Sequence, residues 1–157
     1  MKWAWFIAFL FIITGCGTGV NAPVELKGGD DSMETTDWLF DVVTEQSNGE
    51  LIVTMAVTNN QEKDSSIDFS SGQKYEIVLL DQNGVIKYRY SEGKMFTMAL
   101  VHETFAPSET KKYQETIQLE ELEPGTYMME VKFIVAAING KANDSDTFMK
   151  QVEIEIK

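Results

Sequence analysis

Few side chains in this 157-residue chain could carry chemistry, and their spacing narrows the choice further. There is one histidine, His102, and one cysteine, Cys16. One imidazole and one thiol cannot build the common zinc sites, which draw several nitrogen and sulfur ligands together. His102 stands in "ALVHETFAP", at the end of a candidate strand and with no nucleophile beside it, so it reads as a surface or loop histidine and not as a general base. No serine lies in a G-x-S-x-G turn, and no glycine-rich loop follows a strand to open a helix. The parts for nucleophilic acyl transfer and for cradling a phosphate are both missing. "NDSD" (Asn143, Asp144, Ser145 and Asp146) offers the hard oxygen ligands that calcium takes. It lacks the glycine and the fuller spacing of a calcium loop, so a solvated turn is the better reading. The chain is expected to be no enzyme and to hold neither metal nor cofactor.

Recognition is a different kind of chemistry, and one stretch suits it. "YRYSEGKMFTMAL", residues 88–100, crowds aromatic, basic and thioether side chains into a very acidic chain. Within it, Ser91, Glu92, Gly93, Lys94, Met95 and Phe96 form the candidate partner-binding loop. Gly93 permits a sharp backbone turn, and Met95 or Phe96 could fill an apolar pocket on a partner. A plainer reading stands beside this one. Tyr88, Tyr90, Phe96 and Met98 have the spacing of strand residues that fill a core, which leaves the Ser91 to Lys94 turn as the place a partner touches.

Such a loop needs a frame, and the pattern of the chain supplies one. Hydrophobic residues make up 43% of the sequence and aromatics 11%, which is enough for one folded domain with a real core. The dominant period is two. Leu51, Val53, Met55 and Val57 fall on one face, as do Tyr127, Met129, Val131, Phe133 and Val135, and again Val152, Ile154 and Ile156. That alternation marks half-buried antiparallel strands. Asn48-Gly49, Asn83-Gly84 and Asn139-Gly140 supply hairpin turns, and Pro107 and Pro124-Gly125 two further reversals. Strands are expected over 37–45, 50–58, 65–69, 73–80, 85–91, 95–100, 110–119, 126–137 and 147–156. Seven to nine short strands with regular turns predict an all-β, immunoglobulin-like antiparallel β-sandwich, with a small closed barrel as the alternative.

The formal net charge of −12 repels phosphate backbones, and no basic stripe offsets it, so nucleic acid is excluded as a partner. Adsorption to a membrane through basic patches is excluded on the same ground. The N-terminus offers another route. Lys2 precedes eleven apolar residues, 3–13, too few to span a bilayer but suited to the core of an export signal. The run ends in "ITGC", which resembles the lipobox of bacterial lipoproteins; the alternatives are an ordinary signal peptide with a chance cysteine and a short membrane anchor. The resemblance implies cleavage before Cys16 and a lipid on its thiol, and so a membrane as partner. Residues 1–15 are then the signal peptide, 16–35 a lipidated cysteine with a glycine-rich tether, and 36–157 the sandwich. A disulfide-free monomer outside the cytoplasm, lipid-anchored to the cell membrane of a bacterium, is expected.

Several phrases recur in a telling order: Thr58-Asn59, "FSSGQKY" over 69–75, "DQNG" over 81–84, "YRYSEGKMF" over 88–96, Pro107, and "PGTY" over 124–127. Together, over about residues 50–137, they resemble the BsuPI-type intracellular proteinase inhibitor domain. The resemblance implies a small β-sandwich that inhibits serine proteases, in particular those of the subtilisin class. The export signal departs from the family's intracellular setting and would place any target protease outside the membrane. A non-inhibitory cell-surface binding or assembly module is the alternative.

Overall fold

The computed structural model describes residues 37–143 and 148–157. The signal sequence, Cys16 and the tether lie outside the described residues, as do Asp144, Ser145 and Asp146.

Eleven strands are present among the described residues, all paired antiparallel. The first four are β1 (Trp38–Ser47), β2 (Glu50–Asn59), β3 (Ser65–Phe69) and β4 (Tyr75–Leu80). They are followed by β5 (Ile86–Arg89), β6 (Val101–Phe105), β7 (Thr110–Gln118) and β8 (Gly125–Phe133). The last three are β9 (Ala137–Ile138), β10 (Lys141–Ala142) and β11 (Met149–Ile156). They form three sheets in the orders β1-β2-β7, β10-β9-β3-β6 and β11-β8-β4-β5. This is the expected all-β sandwich, with two strands beyond the seven to nine read from the sequence. The surplus is β9 and β10, a two-residue hairpin about Asn139 and Gly140, too short to leave an alternating pattern.

Alternation does the folding work. Along β2 the side chains Leu51, Val53, Met55 and Val57 turn inward and their neighbours outward. Each such buried apolar side chain contributes roughly 1.5–3 kcal/mol relative to leaving it in water. β1 joins β2 through Asn48 and Gly49, both at positive φ (53° and 78°), which sets the right-handed twist of a tight hairpin.

One ring ties the three sheets together. Phe133, at the end of β8, lies 5.5 Å from Phe40 of β1, 6.0 Å from Phe69 of β3, 6.0 Å from Tyr75 of β4 and 4.8 Å from Tyr113 of β7. Trp38 closes the far side of the core edge-on to Phe105 and Phe148, at 5.1 and 6.0 Å. Among the described residues two buried side-chain nitrogens, Trp38 Nε1 and Gln46 Nε2, lack a partner, whereas the one buried asparagine is well satisfied. Asn59 is fully buried, and its Nδ2 donates to the carbonyls of Lys63 (2.8 Å), Phe105 (3.2 Å) and Ala106 (3.1 Å). Its Oδ1 accepts from the Gln61 amide at 3.1 Å, so one side chain fixes the exit of β2 and the β6–β7 corner.

Two expected strands need correction. Residues 95–100 form none; the strand lies just beyond, at β6, and His102 is inside it. The expected strand over 126–137 divides, because the backbone leaves β4 at Phe133 and re-pairs with β3 at β9.

Candidate functional site

The residues between β5 and β6 form the longest connection without strand pairing among the described residues, 90–100. It starts while still held to the sheet, for the Tyr90 amide donates to the Ile77 carbonyl at 2.9 Å. Two overlapping turns follow, from Glu92 N to Arg89 O (3.1 Å) and from Lys94 N to Ser91 O (3.2 Å). Gly93 sits at φ 70°, a conformation side chains rarely adopt, and the Ser91 amide donates to Glu76 Oε1 at 3.0 Å. Beyond the turns, the carbonyl of Thr97 accepts the Gly72 amide at 2.8 Å. The approach is so close that a Cβ on Gly72 would lie 2.6 Å from the Thr97 hydroxyl oxygen.

Side chains brace the segment from beneath. Lys94 Nζ lies 2.9 Å from Glu115 Oε1 on β7 and 3.5 Å from the centroid of the Tyr90 ring. Tyr90 stacks on Tyr75 at 4.6 Å, and the half-buried ring of Phe96 rests 5.9 Å from Tyr90. The Tyr75 hydroxyl donates to Glu115 Oε2 at 3.1 Å. Burial pushes the Tyr75 phenol far above its ordinary range, with Tyr90 and Glu115 adding to the shift, so it remains a neutral donor. Tyr88 is pushed up to about 12, again mainly by burial.

Three large apolar side chains are left free beside the polar ones. Met95 is 99% exposed, Met98 90% and Leu100 80%. Lys94, exposed but tied by its ammonium to Glu115, and half-buried Phe96 flank outward Met95, so one thioether projects between two held neighbours. Monomeric proteins seldom leave such side chains together in water, and groupings of this kind mark contact surfaces.

The six residues expected to form the loop therefore divide. Glu92, Gly93 and Met95 face solvent, Ser91 and Phe96 are partly buried, and Lys94 spends its charge on Glu115. The aromatics Tyr88 and Tyr90 pack against the core as expected. Met98 does not, and the expectation that it helps to fill the sandwich is corrected. Glu115 and Thr97 are marked by no local motif, and Gly72 lies in the phrase "FSSGQKY" without any sign there of a contact with the loop; all three meet it only through folding.

The remaining reactive groups do not converge on this loop. His102 is exposed, with Nδ1 2.5 Å from Asp68 Oδ1 and Nε2 3.4 Å from the Thr104 hydroxyl. Glu103 takes hydrogen bonds from Lys74 and Tyr113, with Lys111 Nζ at 3.8 Å. Burial pushes its carboxyl up, but these donors and cations outweigh burial and hold it below the usual carboxylate range. Among the described residues no group of three His, Cys, Asp or Glu is placed to hold a metal ion.

Solved structures resemble the chain only distantly. A β-glucosidase from Erythrobacter marinus matches at 12% identity and a TM-score of 0.40, covering 75% of this chain and 15% of that one. A Kluyveromyces marxianus β-glucosidase in complex with glucose matches at 14% identity and a TM-score of 0.40, covering 78% and 14%. A penta-heme cytochrome c552 from Thermochromatium tepidum matches at 8% identity and 0.39, covering 74% and 40%. This chain thus spans a minor part of each, and likeness at that level says nothing of function. No curated protein sequence matches the chain. A family model does, that of the BsuPI intracellular proteinase inhibitor, over residues 38–138, which takes in every strand from β1 to β9 and the whole braced loop. The chain belongs to the BsuPI intracellular proteinase inhibitor family.

Proposed function

We propose that this protein is a lipid-anchored inhibitor of an extracytoplasmic serine protease of the subtilisin class, engaged through the β5–β6 loop with Met95 as the leading side chain. The observation that carries the reading is the full exposure of Met95 between the braced residues Lys94 and Phe96. A protease cleft accepts an extended segment whose side chains alternate toward the enzyme, and an apolar specificity pocket accepts an unbranched thioether. A loop ordered before it binds loses little conformational entropy on docking, so a modest interface can still be tight. The turns at Gly93, the Thr97–Gly72 clasp and the Lys94–Glu115 pair supply that order. Family membership supports a protease as partner. The N-terminal sequence supports export and lipidation at Cys16, which puts the target outside the membrane.

The test is a titration of a purified subtilisin with the purified protein. Activity is expected to fall in proportion to protein added, with a one-to-one complex surviving gel filtration. Met95→Ala is expected to weaken inhibition about tenfold or more while the circular dichroism spectrum stays that of the parent. Micromolar protein that leaves several subtilisin-like proteases fully active refutes the reading. A membrane protein captured in place of a protease would favour the binding-module alternative.

A further inference from the structure

The methionines of the sandwich fall into groups by their access to solvent. Met55 and Met129 are sealed in the core, Met128 and Met149 are 37% and 41% exposed, and Met95 and Met98 stand 99% and 90% exposed on the β5–β6 loop. A thioether in the core meets an oxidant only when the structure opens, whereas one on this loop meets it in every native molecule. The most oxidisable sulfurs of the fold are therefore the ones offered to the partner.

We propose that Met95 and Met98 are an oxidation site that switches partner binding off, an inference that rests on the reading of the loop given above. The co-reactant is a two-electron oxidant of the peroxide class. The thioether sulfur attacks one peroxide oxygen, the O–O bond breaks as the S–O bond forms, and the other oxygen leaves as water with both protons. Sulfur is oxidised by two electrons and the peroxide is reduced by two. The product is a polar, chiral sulfoxide. An apolar pocket that welcomes the thioether strips water from the S–O dipole and gives it no donor in return, so docking weakens. Nothing on the described surface competes for the oxidant as a thiol would, because those residues contain no cysteine. Sulfoxide reductases return the sulfur to the thioether, so the change is reversible.

The experiment treats the purified full-length protein with dilute hydrogen peroxide, maps sulfoxides by peptide mass spectrometry, and titrates a subtilisin before and after. Sulfoxide at Met95 and Met98 is expected to precede any at Met55 or Met129. The inhibition constant is expected to rise about ten- to hundredfold and to recover after treatment with methionine sulfoxide reductases. A Met95→Leu, Met98→Leu double variant cannot form the loop sulfoxides, so whatever inhibition it gives is expected to be the same before and after peroxide. Sulfoxide at Met95 with undiminished inhibition overturns the redox proposal and leaves the loop reading standing, as does oxidation of the core methionines ahead of the loop. Untreated protein without effect on the protease overturns the loop reading and the redox proposal together.

Discussion

Replacing Lys94 by alanine removes both contacts that press the turn of the loop against the sandwich. Its ammonium forms a 2.9 Å pair with Glu115, whose side chain is only 19% exposed, and caps the face of Tyr90 at 3.5 Å. A partly exposed pair of this kind is worth about 0.5–1 kcal/mol, and the cation over the ring about as much again. Lys94→Ala should therefore cost about 1–2 kcal/mol. Glu115→Ala loses the same pair and also strands the Tyr75 hydroxyl, for a similar total. Because the ion pair is counted in both single changes, the double variant should fall short of their sum by about 0.5–1 kcal/mol. Urea unfolding of the four proteins at neutral pH, with an unchanged denaturant slope, reads these numbers directly. Strict additivity, or a Lys94→Ala protein as stable as its parent, would refute the brace. Loss of all inhibition by Lys94→Ala at full stability would do so from the other side, making Lys94 a contact with the protease.

Asn59→Ala should destabilise the fold by about 2–4 kcal/mol in the same assay, since it removes from a fully buried position the donors to three carbonyls and the acceptor of the Gln61 amide. Gly72→Ala should leave the far-ultraviolet spectrum intact yet weaken inhibition, as the added methyl pushes on the Thr97 hydroxyl; adding Thr97→Ala makes room and should restore much of it. Glu103 titrates below its unfolded value, so its stabilising effect is complete above the ordinary carboxylate range and drains as pH falls through the depressed one. The urea midpoint should then drop as the pH falls below the ordinary carboxylate range, and Glu103→Gln should flatten that drop.

The strands whose one face meets the core announced themselves. β2, β3 and β7 lie within a residue or two of their expected bounds, because burial on one side imposes a period of two that survives in the sequence. The same rule misled at 95–100. Phe96, Met98 and Leu100 alternate as a buried face would, but Met98 and Leu100 point into water, and the pairing strand starts at Val101. Period alone cannot separate a core face from an outward apolar row. The loop's position was legible through its turn residues and the family's phrases, which mix packing with contact. Thr58-Asn59 is one such phrase, and burial of Asn59 accounts for its asparagine. The braces were invisible, since Lys94 and Glu115 stand 21 residues apart and Gly72 meets Thr97 only once β4 and β5 have folded back.

Trp38 gives the molecule an optical gauge of its own. Its ring nitrogen has no hydrogen-bond partner, and its neighbours are the hydrocarbon rings of Phe105 and Phe148. An excited indole there finds no mobile dipoles to relax it and should emit toward the blue. Water admitted between β1 and β6 would redden that light before the chain comes apart. The two other indoles, Trp3 and Trp5, sit at the extreme N-terminus, so a chain that has shed them shines from this one place alone.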